Sequence, residues 1–369
     1  MKGINEINIK SFRGISNLKL DNLAQINIIT GDNNCGKTSI LEVIDSFRES
    51  DDIYMWNSLT RRPSGFFGRN GMTFYDGIYD LFNINSENKQ IEYTLKGEGE
   101  SWTLMANAYE GQEEITEKVY ADLVGVYVPT ENEEELRHQT REVTKIIFEV
   151  KLNGEKILHE KIYEGQRYSS RHGRQARIAY KFPKNIVYIS PIRHATGTVF
   201  LSDVLNSPEL YEEMLTILKE YDENIISINY DNDKESGAGT YKILSKSHAK
   251  ALPLNVYGDG MKKAILLMSA VVKAKDGILL LDEFETAIHT SAMEKTFKWI
   301  LETCKKLNVQ VFMTSHSIEA ISKVLKCCPE MENDIRMITL VETNEGVKAR
   351  NVDGSKAIKL MDVYGLELR

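Results

Sequence analysis

Lys37 and Thr38, set behind Gly31-Asp32-Asn33-Asn34-Cys35-Gly36, are the residues of this sequence best suited to hold a polyphosphate. Gly31 and Gly36 permit backbone angles closed to other residues, so successive N–H groups of a short loop can turn inward onto phosphate oxygens. Lys37 would reach the β- and γ-phosphates, and the Thr38 hydroxyl would ligate Mg²⁺. Both flanks have the form this chemistry requires. The apolar run Ile26-Asn27-Ile28-Ile29 leads in as a strand, and Ser39-Ile40-Leu41-Glu42-Val43-Ile44 continues at helical spacing. A helix starting near Lys37 adds the positive end of its dipole. A chance glycine turn would lack these flanks. The stretch reads as a nucleotide site, with Gly31, Asn33, Asn34, Gly36, Lys37, Thr38 and Ser39 as contacts.

A second group of acids lies far along the chain. Gly277-Ile278-Leu279-Leu280-Leu281 ends in Asp282-Glu283, a Walker B pattern. Its continuous apolar run suits a parallel strand covered on both faces. Asp282 would hold Mg²⁺, and Glu283 would be the base that orients and deprotonates an attacking water. Val309-Gln310-Val311-Phe312-Met313 is a further strand, and it ends in Thr314-Ser315-His316. A lone histidine is usually a satisfied core or surface residue. One helix beyond a Walker B strand, His316 is instead placed to hydrogen-bond a γ-phosphate. Ahead of the acids, Gly258-Asp259-Gly260 opens an apolar helix and offers another backbone anion site. By itself that G-x-G is a turn signal; its position in the series gives it weight.

The order of phosphate loop, glycine-rich helix start, apolar strand with Asp-Glu, and strand-end histidine resembles the ATP-binding cassette ATPases of the SMC, RecF and OLD (overcoming lysogenization defect) kind. Ile7-x-Ile9-x-x-Phe12-Arg13-Gly14 resembles these families' first strand and nucleotide-contacting arginine, here Arg13. Asn33-Asn34-Cys35-Gly36 resembles their loop, with Cys35 where Ser or Ala is usual. Glu283-Phe284-Glu285-Thr286-Ala287-Ile288-His289 resembles the Glu-Pro-Glu-x-x-Leu-His stretch of OLD-type ATPases. The likeness covers residues 1–50 and 185–325 and hardly touches the middle.

The resemblance implies an α/β fold: an ABC-type ATPase head with a mixed or parallel core sheet, an N-terminal antiparallel subdomain and a large α+β insertion. It implies ATP and Mg²⁺ as ligands and slow turnover. It also implies a homodimer or higher even oligomer, in which Gly258, Asp259 and Gly260 of one copy meet the γ-phosphate held by Lys37 of the other. OLD-type nucleases place a TOPRIM domain after the ATPase, whereas this sequence stops about fifty residues past His316. A separate effector, a nuclease or toxin, is therefore expected, as in anti-phage systems built on OLD-like ATPases. A RecF-like repair ATPase that clamps DNA directly is the alternative.

Composition frames these readings. Of 369 residues, 42% are apolar and 27% charged, ordinary globular values. A formal net charge of −8 disfavours coating nucleic acid through the overall field, leaving only local basic patches. Cys35, Cys304, Cys327 and Cys328 form no C-x-x-C pair and read as reduced thiols. The amino terminus lacks a signal-type apolar region, and no apolar run is long enough for a bilayer, so a cytoplasmic protein without membrane contact is expected. The chain divides at 1–52 (first part of the head), 53–185 (a β-rich insertion or lobe extension) and 186–369 (signature, Walker B and histidine).

Several segments carry weaker signals. Asn153-Gly154 marks a hairpin, Val124 to Val128 reads as a strand, and Ile186 to Ile189 as a central one. Ser207-Pro208 opens a helix with Leu210, Met214, Ile217 and Leu218 on one face. Gln90, Gln112, Gln139, Gln166 and Gln175 are all candidates for a lid glutamine, and Arg193 follows a strand that could face the nucleotide. Arg167 to Lys181 interleaves arginines with Tyr168, His172 and Tyr180, as a phosphate-backbone site or a solvated loop would. Asp231-Asn232-Asp233 imitates a TOPRIM acid pair but lacks the matching apolar strand.

Overall fold

Ile4, Ile7, Ile9 and Phe12 are buried while their neighbours are wholly or partly exposed, the pattern of a strand with one covered face whose steps of three fall at irregularities between Ile4 and Glu6 and between Ile9 and Ser11. In the computed structural model the described residues are 3–60, 73–84, 89–130, 133–166, 182, 185–191, 199–232, 239–287, 290–344 and 346–364. Strands β1 (Ile4–Phe12) and β2 (Ile15–Leu20) form a hairpin, and β3 (Ile26–Gly31) runs into α1 (Lys37–Ser46). Two short helices follow, α2 (Ile53–Leu59) and α3 (Phe74–Tyr79). The middle of the chain holds β4 (Gln90–Gly97), β5 (Ser101–Thr116), α4 (Glu117–Val124), α5 (Glu133–His138), β6 (Thr140–Leu152) and β7 (Glu155–Tyr163). Next come β8 (Ile186–Ile189), α6 (Leu201–Leu205), α7 (Pro208–Leu218), β9 (Ile225–Asn232), β10 (Gly239–Ser245), β11 (Leu252–Pro253) and α8 (Asp259–Lys273). The chain continues with β12 (Ile278–Leu281), α9 (Thr290–Lys306), β13 (Gln310–Thr314), α10 (Ile318–Lys326), β14 (Ile335–Thr343), β15 (Gly346–Asp353) and α11 (Gly354–Tyr364).

The core sheet has the order β15-β14-β3-β13-β12-β8. It is parallel from β14 to β8, and β15 pairs antiparallel on the edge. An antiparallel sheet of order β2-β1-β4-β5-β6-β7 lies against one face. Along β12 the division of labour is visible residue by residue. Ile278 and Leu280 pack with α1 and the antiparallel sheet, while Leu279 and Leu281 pack with α8, α9 and α10 on the other side. Both faces are therefore apolar, which is why the run shows no alternation. A small third sheet, β11-β10-β9, precedes α8.

Of two buried amides, Gln310 joins the two sheets and Asn27 braces β3 against β13 within the core sheet. Gln310 on β13 accepts from the Ile4 N–H at 2.8 Å and donates to the Ile4 and Ala24 carbonyls at 2.7 and 2.9 Å. Asn27 on β3 exchanges bonds with Ala24 and donates to the Val311 carbonyl at 3.2 Å. At the last residue of α1, the Ser46 and Tyr93 hydroxyls lie 2.6 Å apart, and Tyr93 meets Phe12 and Phe47 edge-on. The phosphate-loop helix is thus held by the antiparallel sheet as well as by its own strand.

The structure departs from the sequence reading in three places. Strands β4–β7 add to β1, so the antiparallel sheet runs across the expected division at residue 52. Among the described residues Ile186 to Ile189 form an end strand; β8 pairs with β12 and is apolar because each face is covered. Val124 to Val128 are no strand: α4 reaches Val124, Gly125 caps it in the left-handed region, and Val126 and Tyr127 are exposed. The Asn153-Gly154 turn does close the β6–β7 hairpin, with φ of 49° and 89°. Pro208 likewise begins α7, which buries Leu210, Met214 and Leu218.

Gln310→Leu strands the Ile4 N–H and C=O in a buried setting. It is expected to lower stability by about 2–6 kcal/mol, two groups at the usual cost of a lost partner. Urea unfolding measures this, and a wild-type midpoint would show that the amide does not hold the two sheets.

Candidate nucleotide-binding site

The loop is shaped by close approaches that exclude side chains. Gly31 has φ 138°, and a Cβ there would lie 2.4 Å from the Leu340 carbonyl oxygen on β14. Gly36 has φ 94°, and its Cβ would press on Ile15 at 2.8 Å. Asn34 also takes a left-handed angle, φ 65°. No side chain caps α1 at Gly36, so its first N–H groups face the loop. The Lys37 ammonium crosses the loop beneath them and donates to the Gly31 and Asp32 carbonyls at 2.8 and 2.7 Å. The Cys35 sulfur is 3.7 Å from that ammonium; burial pushes its thiol up, against the pull of Lys37, so it stays protonated. Asn33 and Asn34 are exposed at the loop's rim, and Ser39 is buried in the first turn of α1.

Asp282 joins this loop to the strand ends. The Thr38 hydroxyl donates to its Oδ1 at 3.2 Å, across 244 residues of sequence. Thr314, at the end of β13, donates to the same oxygen at 2.6 Å, and Tyr188 of β8 reaches Oδ2 at 3.3 Å. Asp282 is 1% exposed, so these hydroxyls replace the water a carboxylate otherwise needs. Glu283 follows with φ 50°, and its N–H donates to the Thr314 hydroxyl at 2.8 Å. His316 lies across the loop: a cavity of about 290 Å³ is lined by Thr30, Gly31, Asp32, Asn33 and His316.

Other sequence candidates fall differently. Arg13 is drawn into the protein's own framework: it pairs with Glu42 at 3.1 Å and donates to the carbonyls of Leu59 and Asp80. Those bonds tie the β1–β2 turn to α1 and to the ends of the two short helices that follow. Gly258, Asp259 and Gly260 form the exposed start of α8, and Asp259 pairs with Lys262 at 2.7 Å. No hydrogen bond or ion pair among the described residues joins this turn to loop 31–38 of the same chain. Gln166 is buried behind β7 and donates nothing to the loop; Gln90, Gln112 and Gln139 sit on or beside β4, β5 and β6. Asp231 pairs with Lys242 inside the β9–β10 hairpin. Gln175, Arg193, His289 and the Arg167–Lys181 stretch lie outside the described residues. Sequence reasoning passed over Tyr188, Thr314 and Glu285. The signal for Thr314 was its place as the last residue of a strand beside Walker B.

Residues 26–322 match a family model described as "AAA domain, putative AbiEii toxin, Type IV TA system". The chain belongs to this family. A relative in Helicobacter pylori, named ATP/GTP phosphatase, is 25% identical over 357 residues, covering 88% of each chain. MJECL10, an uncharacterised protein of Methanocaldococcus jannaschii, is 39% identical over 104 residues, or 25% of this chain and 41% of that one. In structure the chain is similar to an SMC head crystallised with the C-winged helix domain of ScpA. The TM-score is 0.51 at 13% identity, covering 96% of this chain and 99% of that one. That likeness concerns the fold: an α/β, ABC-type ATPase head with a mixed core sheet. Among the described residues no helix is long and apolar enough to cross a membrane.

The donor set fits magnesium and a polyphosphate. Thr38 and Asp282 present hard oxygens side by side, and a glycine loop with an uncapped helix start presents N–H groups next to a lysine. Lys37→Ala is expected to weaken ATP binding at least tenfold, on the order of one charge-assisted hydrogen bond of about 1.5–3 kcal/mol. Equilibrium titration with labelled ATP measures it. Unchanged affinity would take the loop out of nucleotide binding.

Proposed function

We propose that this protein binds ATP and hydrolyses it slowly as an ABC-class ATPase subunit. Two copies close around two nucleotides, and the state of the pair governs a separate effector, a nuclease or toxin, in bacterial anti-phage defence. The observation that carries the ATPase reading is the Thr38–Asp282 contact, which brings a phosphate-loop hydroxyl and a Walker B carboxylate to one point. Lys37 binds the β- and γ-phosphates, and Thr38 and Asp282 hold Mg²⁺. The metal supplies charge neutralisation of the phosphate oxygens. Glu283 takes a proton from the attacking water, whose oxygen bonds to the γ-phosphorus as the bridge to ADP breaks; His316 hydrogen-bonds the γ-phosphate.

The dimer reading rests on two glycines. At Gly258 the backbone is ordinary, φ −61° and ψ 151°, and a Cβ would meet nothing within 4 Å. At Gly260 the nearest atom to a Cβ would be a Tyr221 ring carbon at 3.6 Å, an ordinary contact. Nothing among the described residues of this chain therefore requires glycine at either position. A requirement from outside explains both: a second copy's triphosphate approaching the bare start of α8. The effector reading is supported by the family description, which names a toxin of a toxin–antitoxin system, and by the OLD-like Glu283-Phe284-Glu285 stretch.

Two measurements test this. Glu283→Gln should lose hydrolysis by about 10²–10⁴-fold, the usual worth of a general base. With Mg-ATP the variant should also elute as a dimer in light-scattering chromatography; a monomer in ATP, or wild-type turnover, would count against the proposal. Gly258→Val should leave the melting midpoint within the shift of about 0.5 kcal/mol typical of surface substitutions, yet reduce hydrolysis at least tenfold. Full activity in that variant would remove the second copy from the site.

A further inference from the structure

Glu283 and His316 each stand two residues beyond the end of a parallel strand, β12 and β13, at the level where the ladder Leu281–Met313 gives out. Past that point the sheet offers no acceptors for their N–H groups, and each is supplied by a side chain from the neighbouring strand's exit. The Glu283 N–H donates to Thr314 Oγ1 at 2.8 Å. The His316 N–H donates to Glu285 Oε1 at 2.7 Å. Between them, the buried Ser315 N–H donates to the Ile29 carbonyl of β3 at 3.2 Å. The two exits are therefore cross-tied in both directions.

We infer that Thr314 and Glu285 are positioning residues. Together they fix the placement of the base Glu283 relative to the histidine His316, and hydrolysis depends on them while nucleotide binding does not. The inference rests on the ATPase reading above. Three features support it. Glu283 has φ 50°, a left-handed angle that a residue with a long side chain keeps only where its surroundings hold it. The Thr314 hydroxyl spends its proton on Asp282 Oδ1 at 2.6 Å, so its lone pairs are directed to the Glu283 N–H and its rotation is fixed. Glu285 Oε2 is buried with no hydrogen-bond partner among the described residues. An unsatisfied carboxylate oxygen opposes folding, so stability alone does not account for this side chain, whereas the hold on His316 does.

The test compares Thr314→Val with Thr314→Ser, and Glu285→Ala with Glu285→Gln, reading kcat and the ATP dissociation constant separately. Valine and alanine remove the acceptor; serine and glutamine keep an oxygen that accepts from the same N–H. A displacement of about 1 Å at a reacting group can cost about 10²-fold. Thr314→Val and Glu285→Ala are thus expected to lose about 10–100-fold in kcat, with ATP affinity within about twofold of wild type when measured without Mg²⁺, because Thr314 also donates to Asp282. The Ser and Gln variants should recover most of the rate. Combining Thr314→Val with Glu285→Ala should cost little more than the worse single change, because both hold one geometry. Wild-type kcat in Thr314→Val or Glu285→Ala, equal losses in kcat and affinity, or failure of Ser and Gln to restore would each overturn the inference. Glu283→Gln run in parallel separates the two levels. If it is inactive while Thr314→Val is normal, only the positioning role falls. If the wild-type protein hydrolyses no ATP, the reading beneath it falls as well.

Discussion

A carboxylate almost wholly removed from water, Asp282, is the constraint around which this head is arranged. Such a group is tolerated only where hydrogen bonds replace its hydration. Among the described residues they come from separate pieces of chain that include Thr38 on α1, Tyr188 on β8 and Thr314 on β13. The same bonds that make Asp282 tolerable also bring the phosphate loop, the edge strand and the histidine strand to one place. In the proposed ATPase, stability and chemistry share these contacts, so a change at Asp282 would be felt in both.

The antiparallel sheet looks at first like an ornament on this arrangement, yet it covers the face of the core sheet on which α1 lies. Tyr93 reaches the end of α1 through Ser46, Arg13 clasps Glu42 one turn beyond the loop, and Gln310 fastens the first strand to β13. The loop's helix is thus pinned along its length, which suits a group that must present N–H donors without rearranging when charge arrives.

The parts legible in the sequence are those in which chemistry demands particular residues at short spacing. The phosphate loop needs Gly31 and Gly36 because Leu340 and Ile15 crowd it, and Walker B needs an apolar run ending in acids because β12 is covered twice. What stayed hidden depends on pairing across long stretches of chain. Nothing local in Gln90–Gly97 says that it joins β1, and nothing in Ile186–Ile189 tells an end strand from a central one, since both are buried on two faces. The β-prone run Val124–Val128 was overridden by a helix that Gly125 terminates. Thr314 and Gln310 read as ordinary strand residues, and only the neighbouring strand's position reveals what their polar atoms hold.

The account's central claim is that the turn at Gly258–Gly260 serves a second copy's nucleotide. The four native cysteines are buried, so an introduced thiol reports cleanly. One population would carry Asp259→Cys and another Asn33→Cys, both exposed positions, in a Glu283→Gln background, mixed and treated with a short thiol-specific crosslinker. The account predicts a crosslinked pair between the two populations that forms with Mg-ATP and not without it. A yield that is the same with and without nucleotide, or no crosslinked pair under any condition, would contradict it.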